Sequence, residues 1–232
     1  MTFVTLAEHE GVAVLTADRP PANAMDVELL RELVAAVEHL AASPPGALVL
    51  AGRPGFFSAG ADLKAIPGYG PADQRAAVQG INAMALGVYA LPCPVVGAIT
   101  GHAIAGGLVL ALCTDVRVAS SAGRYGLTEV KVGVPYPQAA IGVVRAELAP
   151  HAARLLALGN QLVEAHACLR LGVFDEAREP EDVLPRALEL AAELAVMPPD
   201  VYARTKQELR GATIARLRAA ATNEPLLAGW VS

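Results

Sequence analysis

The 232 residues predict a mixed α/β fold, with a core of parallel strands followed by a helical C-terminal region. Three observations carry this expectation. Short continuous apolar runs, such as "ALVLAG" (47–52) and "CPVVGAIT" (93–100), suit strands covered on both faces. Stretches of helical periodicity alternate with these runs through the first half of the chain. From Pro137 onward the pattern turns helical, with breaks near Gly159, Gly172, Pro180 and Pro198.

The elements follow in order. "FVTLAEHEGVAVLTADRP" alternates apolar and polar residues around Glu10-Gly11, which predicts a β-hairpin. "PPANAM" is a loop, after which Asp26 can cap a helix. Its apolar stripe is Val27, Leu30, Leu33, Val34, Val37 and Leu40, and "SPPG" stops it. The strand "ALVLAG" passes into the Gly-rich loop "GRPGFFSAGADLKAI", and a helix is expected from about 72 to 91. "CPVVGAIT" is a further buried strand, "GGLVLALC" a buried helix and "DVRVAS" another strand. Residues 1–172 therefore read as the α/β core and 173–232 as the helical region. That region keeps an apolar stripe, including Val183, Leu184, Leu188, Leu190 and Leu194, to bury on the core or on another subunit.

Composition narrows the function. A formal charge of −5, with no Lys/Arg run, argues against a nucleic-acid partner. The three cysteines, Cys93, Cys113 and Cys168, form no CxxC pair, so a disulfide framework is not expected and a cytoplasmic setting fits. The histidines lack ligand spacing, so no metal site is expected. The N-terminus has neither the basic start nor the apolar core of a signal peptide. "VVGAITGHAIAGGLVLALC" imitates a membrane span, but its four glycines read better as two buried elements joined by a turn.

The glycine pair Gly106-Gly107 interrupts the most apolar part of the chain. One reading is that glycine lets a ligand oxygen approach free N–H groups at the start of a helix. The other is close helix packing, the stronger reading for the pair alone. "FFSAGADL" offers a second Gly-flanked backbone turn after a strand, so two turns could each give one N–H to the same oxygen.

Together, "GRPGFFSAGADL", "PVVGAITGHAIAGGLVLALCTDVRVAS" and "YGLTEVKVGVP" resemble the enoyl-CoA hydratase/isomerase (crotonase) family. "ADRPPANAM" and "AAELAVMPPDVYARTKQELR" fit the same pattern, so the resemblance covers nearly the whole chain. It implies a spiral of ββα units, a helical C-terminal region that packs in a homotrimer or a dimer of trimers, and an acyl-CoA thioester substrate. Coenzyme A would enter as part of that substrate, with no separate cofactor. The resemblance places the thioester oxygen between the backbone N–H groups of Ala61 and Gly106. It places Ala22, Ala59, Asp62 and Leu63 along the coenzyme A site and Lys64 within reach of a phosphate. Gly107, Val109 and Tyr136 complete the expected substrate contacts. Asp115, Asn23 and His102 read as structural.

The reaction turns on the acids. Hydratases of the family commonly carry a glutamate three residues after the oxyanion glycine and a second in the "YG..E" motif. This chain has Val109 at the first position and Glu129 at the second. Adding water is easiest with two carboxylates, whereas moving a double bond needs one base that takes a proton from C2 and returns it to C4. "VPYPQAAIGVVRAEL" also replaces a hydratase-like "PGAGGTQRL" segment and looks closer to the 3-enoyl to trans-2-enoyl-CoA isomerases. The leading expectation is an isomerase with Glu129 as proton shuttle. A single-carboxylate hydratase and an acyl-CoA-binding protein without efficient catalysis remain the alternatives. The chain ends at "LLAGWVS", somewhat early for the family, and the resemblance implies that the residues beyond this point are ones that, in relatives, can close the pocket from a neighbouring subunit.

Overall fold

The structure, a computed structural model, describes residues 2–231. The first half contains β1 (Val4–His9), β2 (Val12–Ala17), α1 (Val27–Ala42), β3 (Leu48–Ala51), β4 (Gly55–Ser58), α2 (Pro71–Tyr89), β5 (Val95–Ile99) and β6 (Gly101–Ile104). It continues through α3 (Gly106–Leu112), β7 (Val116–Ser120), β8 (Tyr125–Gly126), α4 (Glu129–Val132), α5 (Gln138–Glu147) and α6 (Pro150–Ala153). α7 (Ala165–Arg170), β9 (Glu176–Arg178), α8 (Val183–Ala195) and α9 (Pro199–Thr222) follow.

Local chemistry sets the starts and turns. Glu10 and Gly11 both have positive φ, as a two-residue hairpin turn between β1 and β2 requires. Asp26 accepts the backbone N–H of Leu29 at 2.8 Å and so caps α1.

The strands divide into two sheets by alternation. One sheet has the order β1-β2-β3-β5-β7-β9, and a smaller one has the order β4-β6-β8. Apart from the β1–β2 hairpin, every ladder is parallel. Each turn of the chain thus lays one strand in the large sheet and the next in the small one. This is the spiral of strand pairs and helices that the resemblance implies.

Both faces of the large sheet are covered, which explains its continuous apolar runs. Leu48 and Leu50 of β3 join the main core with α1, α2 and α3. Val49 and Ala51 point the other way and pack with Val183, Ala187 and Ala191 of α8. Elements beyond residue 172 also build on the large sheet. α8 closes the sheet's second face, and β9 extends the sheet by pairing with β7. The "EAR" of β9 has no apolar alternation, so its strand character comes from ladder pairing alone.

Candidate active site

The site gathers the segments that follow the three strands of the small sheet. β4 leads into Ala59-Gly60-Ala61, β6 into Ala105-Gly106, and β8 into Leu127-Thr128-Glu129. Ligands of open parallel sheets characteristically sit at such carboxyl ends.

The first two segments face each other through backbone. The Gly60 carbonyl accepts Met25 N–H at 2.7 Å, and Asp62 N–H donates to the Met25 carbonyl at 3.0 Å. In an extended strand the intervening Ala61 N–H must then point to the opposite side. Gly60 has φ +80, and a Cβ on it would stand 2.9 Å from Gly106 N, so only glycine lets the turns come this close. A Cβ on Gly106 would stand 3.9 Å from Ala61 N. Neither Ala61 N–H nor Gly106 N–H has a protein acceptor among the described residues. Ala105 holds the second turn at φ 54, ψ −128, a backbone conformation that costs a non-glycine residue roughly 1–3 kcal/mol.

The structure separates the two glycines. Gly106 lies at the cavity beside Ala61. Gly107 is buried outside it, where a Cβ would meet the Ser58 carbonyl oxygen. The second glycine thus serves the close packing of α3 on β4.

Glu129 begins α4 and is only 6% exposed. Its one side-chain hydrogen-bond partner among the described residues is the Tyr136 hydroxyl, which donates to Oε2. Burial without a cationic partner pushes its pKa up to about 7, although the Tyr136 bond works in the opposite direction.

Ala59, Ala61, Leu63, Gly106, Glu129 and Tyr136 share one apolar cavity holding about 670 Å³ of empty space, its open mouth included. Glu129 is its sole acid among the described residues. The remaining expected contacts lie outside this wall. The Ala22 carbonyl accepts Ala59 N–H and steadies the first turn. Asp62 is engaged by Arg19 at 2.8 Å and by the N–H groups of Lys64 and Ala65. Burial works to raise its pKa, but those bonds leave it lowered. Lys64 is exposed, and Val109 is fully buried in the core, so it does not form the cavity wall expected beside the acid. Val132, Val134 and Pro135 are among the residues that supply that wall.

Sequence reasoning missed three participants, Arg19, Gln74 and Trp230, while Gly60 belongs to the glycine turn already read in "FFSAGADL". The indole of Trp230 lines the cavity, and its Nε1–H donates to the Pro135 carbonyl at 2.9 Å. The positive φ of Gly60 had a usable signal in "SAGAD"; the link from Gln74 to Trp230 spans 156 positions and had none.

Comparison with known proteins places this geometry. Residues 7–227 match the family described as enoyl-CoA hydratase/isomerase. "Probable enoyl-CoA hydratase EchA17" of Mycobacterium tuberculosis is 34% identical over 206 residues, covering 86% of this chain and 77% of that protein. Human "Enoyl-CoA delta isomerase 1, mitochondrial" is 34% identical over 212 residues, covering 89% of this chain and 70% of that protein. Among solved structures, a probable enoyl-CoA hydratase EchA3 of Mycobacterium tuberculosis superposes with a TM-score of 0.89 at 31% identity, over 96% of this chain and 94% of that one. Relatives of similar closeness thus carry both reaction names.

Proposed function

The chain belongs to the enoyl-CoA hydratase/isomerase family, and on that premise we propose that it converts a 3-enoyl-CoA to the trans-2-enoyl-CoA. The observation that carries this reading is the single buried acid in a cavity that also presents two free backbone donors.

The thioester oxygen accepts hydrogen bonds from Ala61 N–H and Gly106 N–H. These donors are fixed by backbone pairing, so they need no reorganisation as charge develops. Glu129, ionised, takes the C2 proton. The C2–H electron pair passes into the thioester carbonyl and conjugates with the C3–C4 double bond, giving a dienolate. The carboxylic acid then returns the same proton to C4, and the double bond settles between C2 and C3. Tyr136 holds Oε2, which leaves Oε1 to carry the proton. A pKa near 7 suits a group that must both take and return a proton near neutrality.

No separate cofactor enters this reading. Self-association into a homotrimer or a dimer of trimers is part of it. Exposed Val196, Met197, Val201 and Leu209, along the α8–α9 region, support a protein partner for that surface.

The test is a paired assay of pure protein on a 3-enoyl-CoA and a 2-enoyl-CoA of equal length. Isomerisation is expected to be faster, with kcat/KM rising as pH passes about 7 and Glu129 ionises. Faster hydration of the 2-enoyl-CoA would assign the reaction to water addition by one carboxylate.

A further inference from the structure

The cavity is lined by the exposed Leu63, beside the Ala61 turn, and by the buried Ile81, Ala140 and Trp230. Trp230 comes from the last described stretch of chain, yet it is only 4% exposed. Two sets of contacts seat that stretch.

Glu224 anchors its beginning. One carboxylate oxygen accepts Asn82 Nδ2 at 2.9 Å and Gln138 N–H at 2.7 Å. Asn82 Oδ1 in turn accepts Ala139 N–H at 2.8 Å, so this pair also satisfies the start of α5. Gln74 of α2 fastens its far end. The Gln74 Oε1 accepts Trp230 N–H at 3.0 Å and Val231 N–H at 3.3 Å, and Nε2 donates to the Val231 carbonyl at 3.2 Å. The indole itself is fixed to Pro135, the residue before the tyrosine that holds Glu129. A rigid aromatic side chain held at ring and backbone makes a fixed wall.

We infer that Trp230, held by Gln74, closes the acyl end of the cavity and restricts the enzyme to short acyl chains. This rests on the acyl-CoA reading above. A hydrocarbon chain that reaches the indole must stop or displace it, and the latter breaks the Pro135 bond and the Gln74 clamp together.

The experiment compares kcat/KM for six-carbon and twelve-carbon 3-enoyl-CoA substrates in wild type, Trp230→Leu and Gln74→Ala. The wild type is expected to favour six carbons. One methylene too many in an apolar pocket costs roughly 10–200-fold, so Trp230→Leu should raise the twelve-to-six ratio at least about tenfold. Gln74→Ala loosens the clamp but keeps the indole, and should shift the ratio the same way by less. An unchanged ratio in folded Trp230→Leu overturns the inference. If Trp230→Leu does not fold, an unchanged ratio in Gln74→Ala overturns it. A wild type that prefers twelve carbons overturns it as well. A wild type that turns over neither 3-enoyl-CoA nor 2-enoyl-CoA at either length overturns the functional reading first, and this inference with it.

Discussion

Carboxylates shielded from most of the solvent stand in two places in this molecule, in opposite company. Asp115 and Glu147 sit among three cations. Asp115 pairs with Lys206 at 2.7 Å and Arg210 at 2.8 Å, and also accepts Tyr202 Oη–H and Val95 N–H. Glu147 pairs with Arg117 at 2.6 Å and accepts Tyr89 Oη–H at 2.8 Å. This cluster fastens α9 to the end of α3, to α5 and to β7. Glu129, 6% exposed, is more deeply buried, yet among the described residues its side chain has one neutral partner and no cation. The contrast separates two uses of one functional group. A carboxylate paired with several cations holds elements together. One left without them gives up its charge near neutral pH and can exchange a proton.

Three substitutions and a pH series test this contrast. The largest effect is expected from Glu129→Gln, which removes the proton carrier while preserving shape. Turnover of enoyl-CoA substrate should fall about 10²–10⁴-fold with the circular dichroism spectrum intact. Asp115→Ala should do the reverse. Leaving Lys206 without an acid, and Arg210 with Glu147 alone at 3.5 Å, costs about 3–5 kcal/mol in denaturant unfolding, while the folded fraction turns over substrate at the wild-type rate.

The third effect is a pH dependence of stability. Glu129 has a pKa of about 7 when folded against an ordinary 4.5, so the folded state holds the proton more tightly. Its contribution is full below about 4.5 and is lost as pH rises through about 7. Glu129→Gln stays neutral throughout. It should therefore be more stable than wild type at pH 8, by about 3 kcal/mol, with the difference shrinking toward pH 4.5. Equal unfolding free energies at pH 8 would contradict the electrostatic account of the site.

Tyr136→Phe is expected to have the smallest effect. It removes a hydrogen bond that favours the ionised acid, worth about 0.5–1.5 kcal/mol. The acidic limb of the kcat/KM profile should move upward by up to about one pH unit, with KM for the acyl-CoA moving less than kcat.

Local features were the legible ones. Asp26 as a cap, Glu10-Gly11 as a turn and the apolar runs of β3 and β5 all act through neighbours in sequence or through period. The helical region was read well except at β9, where pairing with β7 decides the conformation. The glycine pair shows the limit inside one motif. Its composition could not separate Gly106, beside the cavity, from Gly107, pressed on Ser58, because the distinction lies in which neighbour the missing Cβ would meet. The pairing of the Asp62 side chain with Arg19, 43 positions away, has no local signal in the sequence. Val109 occupies the position of a family acid, yet its burial keeps it out of the cavity wall.

The two donors of the site are main-chain groups, held by Met25 on one side and by the Ala105 N–H bond to the Gly126 carbonyl on the other. Any exchange of side chain that keeps φ and ψ leaves them in place. The acid, by contrast, is a side chain that a single codon change can delete or replace. Heritable variation therefore falls unevenly on this pocket: descendants would keep the grip on a carbonyl long after altering, or abandoning, the proton chemistry performed beside it.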